Sequence, residues 1–301
     1  MSRVPLRWRA TLALLRRLPQ GALSRMTGRL AELQLPRPVR GPLIRGFARM
    51  VGADLSEVAE PPESFASVSG FFTRRLAPGT RRWPEDPAMP ASPVDAEVGA
   101  VGRIEEGRAL QAKGYPYRID ELLGSPERAE AFREGRFVTL YLSPRHYHRI
   151  HTPVSGAVEW ARAQPGGLLP VNDPAVRTIP DLFVRNERLV ADIRCDPGSA
   201  RVAGSRVAVV AVGAFNVGRI SSAFDPDWND PSTMGVTNRR GSRSPEARVY
   251  EPEVPMERGE ELMAFHLGST VVLLFAGGHG VLDPGLVPGA EIRLGQALFG
   301  G

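Results

Sequence analysis

The sequence predicts an α+β protein, in which a helical N-terminal module (residues 1–60) precedes a β-rich, sandwich- or barrel-like body (residues 61–301). Two changes of pattern along the chain carry this reading. Apolar residues recur at helical spacing as far as Val51, and beyond Pro90 they give way to short β-like runs broken by Gly and Pro. Charge divides the chain in the same place. Residues 1–50 hold eleven arginines, no lysine and one acid, Glu32, a net +10; the whole chain carries +5, so the remainder is −5. A chain of 301 residues can bury one large core and carry a small extension. Strand order is not fixed by the sequence.

Each helical stripe has an arginine face. Trp8, Leu12, Leu15 and Leu18 oppose Arg9, Arg16 and Arg17. After Pro19–Gly21, Leu23, Met26, Leu30 and Leu33 oppose Arg25 and Arg29. Pro36–Pro42 is expected to break the chain before Leu43, Ile44, Phe47, Met50 and Val51 form a third stripe. This pattern suits an anionic membrane surface, where each basic residue adds about 1 kcal/mol. The alternative is a helical cap packed on the protein's own core, and the charge favours the membrane. The arginines are interleaved with aliphatic residues and few aromatics, which argues against nucleic acid. No apolar run reaches the roughly 20 residues of a spanning helix, and Ala10–Leu15 is too short for a signal peptide. The single cysteine, Cys195, cannot form an internal disulfide, which fits a reducing compartment.

In the body, Phe137–Leu142, Leu189–Ile193, Arg206–Ala214 and Thr270–Phe275 read as buried strands. Helices are expected near Ile119–Leu123 and Pro126–Glu134. Residues 225–248, rich in Asp, Pro, Asn, Ser and Arg, read as a long loop, either a functional lid or disordered.

Three segments hold groups capable of chemistry. His146, His148 and His151 lie within six residues, in Tyr141–Pro153. Imidazoles move protons near neutral pH; the same residues could be hydrogen-bonded in a packed turn, or ligate a metal. Leu267-Gly-Ser-Thr270 precedes an expected strand. Gly268 leaves its carbonyl open to attack, and a deprotonated Ser269 Oγ could convert the amide to an ester. Elimination and imine hydrolysis would then leave a pyruvoyl group. Alone, the tetrapeptide reads as a tight turn entering a strand. Asp95, in Pro90–Gly102, could orient a histidine as in any Ser-His-Asp arrangement, or simply form a turn after Pro93.

Taken together, these segments resemble the phosphatidylserine decarboxylase family, of the bacterial, membrane-associated kind. Ser69–Arg75 resembles the family's F-F-x-R-x-L segment, and Leu110–Gly114 its L-Q-x-K-G. Tyr141–Pro153 resembles Y-L-x-P-R-D-Y-H-R-x-H-x-P. Val171-Asn172 with Thr178–Arg188 resembles V-N … P-x-L-F-x-x-N-E-R, and Leu267–Thr270 matches the processing motif. The order and spacing of these motifs over about two hundred residues make the likeness specific.

The resemblance implies self-cleavage at Gly268-Ser269 into residues 1–268 and 269–301, with Ser269 becoming a covalent pyruvoyl cofactor. Asp95 and His151 would complete the self-cleaving triad. His148 would act in decarboxylation, as the proton donor. Phosphatidylserine would become phosphatidylethanolamine and carbon dioxide through a Schiff base with the pyruvoyl group; Lys113 is the alternative Schiff-base residue, or a structural ion-pair lysine. The resemblance further implies a homodimer of processed protomers, peripheral on the cytoplasmic face of the cell membrane, with no metal. Two departures stand out: Ala96 replaces the glycine after the family's aspartate, and His146 replaces the aspartate of Arg-Asp-Tyr-His. Rival readings are a catalytically altered membrane-binding homologue and a metal-dependent hydrolase built on the histidines.

Overall fold

A computed structural model describes residues 20–112, 115–199, 205–214, 219–229, 244–266, 270–277 and 280–300. It is mostly β-sheet with few helices, an α+β protein. Its centre is an eight-stranded antiparallel sheet in the order β10-β6-β7-β8-β12-β4-β1-β13. The strands are β1 Ala96–Arg103, β4 Arg136–Tyr141, β6 Gly156–Gln164, β7 Arg188–Cys195, β8 Arg206–Val212, β10 Glu246–Met256, β12 Thr270–Phe275 and β13 Glu291–Ile292. A three-stranded sheet, β5-β11-β9, is formed by Arg149–His151, Glu261–Phe265 and Ile220–Ser222, and β2 (Arg108–Ala112) pairs with β3 (Tyr115–Arg118).

Both faces of the large sheet are covered, which is why its central strands read as unbroken apolar runs. Successive side chains alternate between faces. Val271, Leu273 and Phe275 of β12 join one core with Ile150, Ile220, Met263 and Phe265 of the small sheet. Val272 and Leu274 join the opposite core, with Ile119, Leu122, Phe132 and Phe183 from short helical turns. The helix expected at Ile119–Leu123 is present, and Pro126–Glu134 folds as an α-turn, Pro126–Ala129, followed by a 3-10 turn, Glu130–Phe132.

The N-terminal region brings one correction. Helix α1 is Gln20–Ala31 and α2 is Arg37–Val51. The break therefore falls at residues 32–36, with Pro36 as the N-cap of α2, and does not extend to Pro42. Pro38 falls in the first turn of α2, where no intrahelical N–H bond is lost, and Pro42 is carried within the helix. Ile44 and Ala48 pack on Phe65 and Phe71, the latter in α3, Val68–Phe72. By contrast Met26, Leu30, Leu33, Leu43 and Met50 are exposed. The stripe containing Trp8 lies outside the described residues, as do Lys113 and most of the expected 225–248 loop. The near end of that loop is a 3-10 turn, Pro226–Trp228, and β10 begins at Glu246. No described helix is long and apolar enough to cross a membrane.

Candidate active site

The histidine cluster sits where the two sheets meet. Strand β4 ends at Tyr141, a tight turn carries His146 and His148, and β5 delivers His151. The Phe265 N–H donates to the His148 carbonyl (2.9 Å), which fixes this turn against the end of β11. The expected cleavage pair, Gly268 and Ser269, lies outside the described residues. Its flanks are placed: the His266 N–H donates to the Arg219 carbonyl (3.1 Å), and Thr270 pairs with Tyr141 and Val212.

His148 is fully buried. Its Nδ1 lies 2.8 Å from the His146 carbonyl, and a carbonyl only accepts, so Nδ1 carries the hydrogen. Nε2 is then a bare acceptor, with no hydrogen-bond partner among the described residues. The Phe72 ring stands edge-on at 4.8 Å. Burial, with the Arg74 guanidinium second, pushes the His148 pKa down to about 3. At neutral pH this imidazole is uncharged, with Nε2 as an acceptor.

His151 is held from both sides. Nδ1 is 2.7 Å from the Gly259 carbonyl, and Nε2 is 2.9 Å from the Tyr147 hydroxyl, whose ring stacks on the imidazole. Gly259 has φ +88, and a Cβ there would meet the Trp83 ring at 2.9 Å, so glycine is required for this carbonyl to be presented. Burial lowers the His151 pKa, opposed by the Gly259 carbonyl and by the fields of Glu261 and Asp95.

Asp95 makes no hydrogen bond to His151. Both its oxygens are clasped by Arg81, at 2.9 and 2.5 Å, and Oδ1 also accepts the Leu294 N–H (2.8 Å). Its influence on His151 is therefore through space. Ala96 opens β1 and is not among the residues with positive φ, so glycine's freedom is not needed after Asp95 in this chain. His146 replaces a carboxylate but recruits one, with Nε2 3.2 Å from Glu291 of β13. The three histidines thus turn to different partners, and among the described residues no set of three His, Cys, Asp or Glu side chains is placed to hold a metal.

Two clefts reach this region. One, of about 320 Å³, is lined by Tyr147, His151, Arg149 and Glu261. The other, of about 170 Å³, is lined by Arg74, His146 and Asp95. Tyr147, Gly259, Arg81 and Glu291 were not singled out from the sequence. Tyr147 carried a signal, standing between two of the histidines. The rest did not: Glu291 is 145 residues from its histidine.

The family model for phosphatidylserine decarboxylase matches residues 68–300, which include the whole of this arrangement. The chain belongs to the phosphatidylserine decarboxylase family. It is 44% identical to a phosphatidylserine decarboxylase proenzyme of Anaeromyxobacter sp. (strain K) over 292 residues, 97% of this chain and 98% of that protein. The proenzyme of Myxococcus xanthus is 39% identical over 95% of this chain and 96% of its own length. That of Halorhodospira halophila is 42% identical over 93% and 90%.

Within the family pattern, several motif residues turn out to be structural. The Gln111 amide bonds the Val176 and Ile179 carbonyls and the Leu182 N–H. Asn186 ties Leu169 to Gly213, and Arg188 donates to four backbone carbonyls. These side chains hold the helical turns against the sheet.

Proposed function

We propose that this chain is a phosphatidylserine decarboxylase proenzyme that cleaves itself between Gly268 and Ser269 and carries a pyruvoyl group made from Ser269. The observation that carries the reading is a buried neutral imidazole with a bare Nε2, His148, whose backbone is bonded to the end of β11, in a chain with full-length relatives of that name. The residues present fit such a group. Thr270, the residue after Ser269, is anchored in the sheet on both sides, and His148 Nε2 is an orphaned acceptor in the adjoining turn.

Bound there, the pyruvoyl carbonyl supplies an electron sink for the carbanion left when carbon dioxide departs. His148 Nε2 would relay a proton to the α-carbon once carbon dioxide has left. This refines the role of a simple proton donor, because the imidazole starts neutral. Phe72 and the surrounding core keep water from that nitrogen. In processing, His151 Nε2 exchanges the Tyr147 hydroxyl for that of Ser269, and Asp95 favours the resulting imidazolium by its field.

The proposal extends to residues 1–60 as a membrane-associating module on the catalytic body, residues 61–301. The exposed Met26, Leu30, Leu33, Leu43 and Met50, all within residues 1–50 with their +10 charge, support attachment to anionic lipid. A homodimer of processed protomers, peripheral on the cytoplasmic face, rests on the family resemblance.

Intact mass spectrometry tests the central claim. The purified protein is expected to give two chains, 1–268 and 269–301, the second with a blocked N-terminus. Ser269→Ala should remain one chain and release no carbon dioxide from phosphatidylserine. Normal cleavage of that variant would remove Ser269 from the reaction.

A further inference from the structure

Arg74 is a buried cation without an anion. The residue is 4% exposed, yet among the described residues Nε and Nη1 have no hydrogen-bond partner, and no carboxylate lies within ion-pairing distance. Nη2 is engaged, donating to the carbonyls of Arg145 (3.0 Å) and His146 (3.1 Å). The guanidinium rests on the Phe71 ring at 4.9 Å.

The other arginines lining the same cleft are all matched. Arg81 pairs with Glu57 and Asp95, Arg145 with Glu291, and Arg293 with Glu57. Asp95 acts on Arg74 electrostatically, but both its oxygens are already committed to Arg81. Buried charges in folded proteins are normally paired, and one that is not marks a place for an incoming counter-ion.

The position of Arg74 indicates which anion. The His146 carbonyl accepts from both Arg74 Nη2 and His148 Nδ1. The guanidinium and the proposed proton-transfer imidazole thus meet on one oxygen, each with its remaining nitrogens free. In a phosphoserine headgroup only the serine Cβ and the ester oxygen separate the α-carbon from phosphorus. A guanidinium on the departing carboxylate would hold the ground state more firmly than the transition state and slow the reaction. The phosphodiester keeps its charge throughout, so gripping it costs nothing at the chemical step.

We propose that the Nε and Nη1 edge of Arg74 binds the phosphodiester of the lipid headgroup, placing the serine α-carbon at His148. This rests on the decarboxylase reading above. An arginine fork matches two phosphate oxygens, which a lysine cannot reproduce. Binding that is equal in ground and transition states appears in KM and not in kcat.

The test uses processed wild type, Arg74→Gln and Arg74→Lys, with phosphatidylserine in mixed micelles and glycerol phosphate as a soluble competitor. Arg74→Gln is expected to raise KM about tenfold or more, with kcat within about threefold, and Arg74→Lys to recover part of the loss. Glycerol phosphate should compete with substrate in wild type and lose potency in Arg74→Gln by a similar factor. A fall in kcat with KM and competition unchanged would overturn the proposal and make Arg74 a positioning residue for His148. Should Arg74→Gln fail to fold, Arg74→Lys and the wild-type competition decide; absence of competition in wild type overturns the proposal. A wild-type enzyme that releases no carbon dioxide sinks the decarboxylase reading itself. An active one indifferent to Arg74 sinks only the phosphate site.

Discussion

His148 and His151 sit three residues apart in the chain and live in different electrostatic surroundings. His148 has one nitrogen on a backbone carbonyl and the other on nothing, whereas His151 is bonded at both. We therefore expect their substitutions to separate the two reactions. His151→Gln should accumulate uncleaved precursor on denaturing gels. His148→Gln should cleave at least in part and lose about 10²–10⁴ in turnover, the usual worth of a proton-transfer group. Full turnover of cleaved His148→Gln would remove it from the mechanism. The same burial ties stability to pH. The His148 pKa falls from 6.5 to about 3 on folding, so between those values the unfolded chain binds more protons. Its contribution is complete above about pH 6.5 and is lost as pH falls toward about 3, at up to about 1.4 kcal/mol per pH unit. The melting temperature should drop on acidification, and His148→Gln should flatten that slope. Of this site, the sequence displayed the titratable groups, because three imidazoles in six residues are conspicuous. It concealed their partners. Gly259 and Glu291 come from β-turn and edge-strand positions more than 100 residues away, and Asp95 turned to Arg81 instead of His151.

At the scale of elements, periodicity located α1 and part of α2 but could not say what each face meets. An apolar stripe is the same in sequence whether it packs on a core or on lipid. The structure divides it: Ile44 and Ala48 turn inward, while Leu43 and Met50 of the same helix face out. Glu32, the one acid of residues 1–50, pairs with Arg219, whose carbonyl accepts the His266 N–H just before the cleavage motif. That pair docks α1 onto the body while the exposed apolar residues are left for another surface. If that surface is anionic lipid, Leu30→Glu with Met50→Glu should weaken co-sedimentation with anionic vesicles, because each change removes apolar burial and adds repulsion. Replacing Arg9, Arg16, Arg17, Arg25 and Arg29 by Gln should weaken binding most at low salt, since the Debye length shortens to about 3 Å at 1 M. Neither set touches Asp95, His151 or Ser269, so self-cleavage should proceed. Unchanged binding by both folded variants would return these helices to the role of a structural cap.

Across the whole molecule, the feature least visible in sequence is where β12 sits. Its valines and leucines announced a buried strand, but strand order depends on pairings between segments far apart in the chain, which local patterns do not encode. The structure puts β12 in the interior of the eight-stranded sheet, paired through six residues with β4 on one side and six with β8 on the other. Val271 to Phe275 are all 0% exposed. Cleavage before Thr270 would therefore free the strand's end without freeing the strand. The 269–301 piece also holds β13 on β1, Leu298 and Phe299 in the core, and Glu291 on His146. Removing it would expose both faces of the sheet and two rows of backbone hydrogen bonds. The two chains should accordingly co-elute as one particle in size-exclusion chromatography without denaturant, and part only in urea or guanidinium. Their unfolding should be a single transition, because neither piece retains a core of its own around β12. Elution of the short chain apart from the long one in native buffer would contradict the central placement of β12. It would also leave the proposed site without the strand that anchors its cofactor.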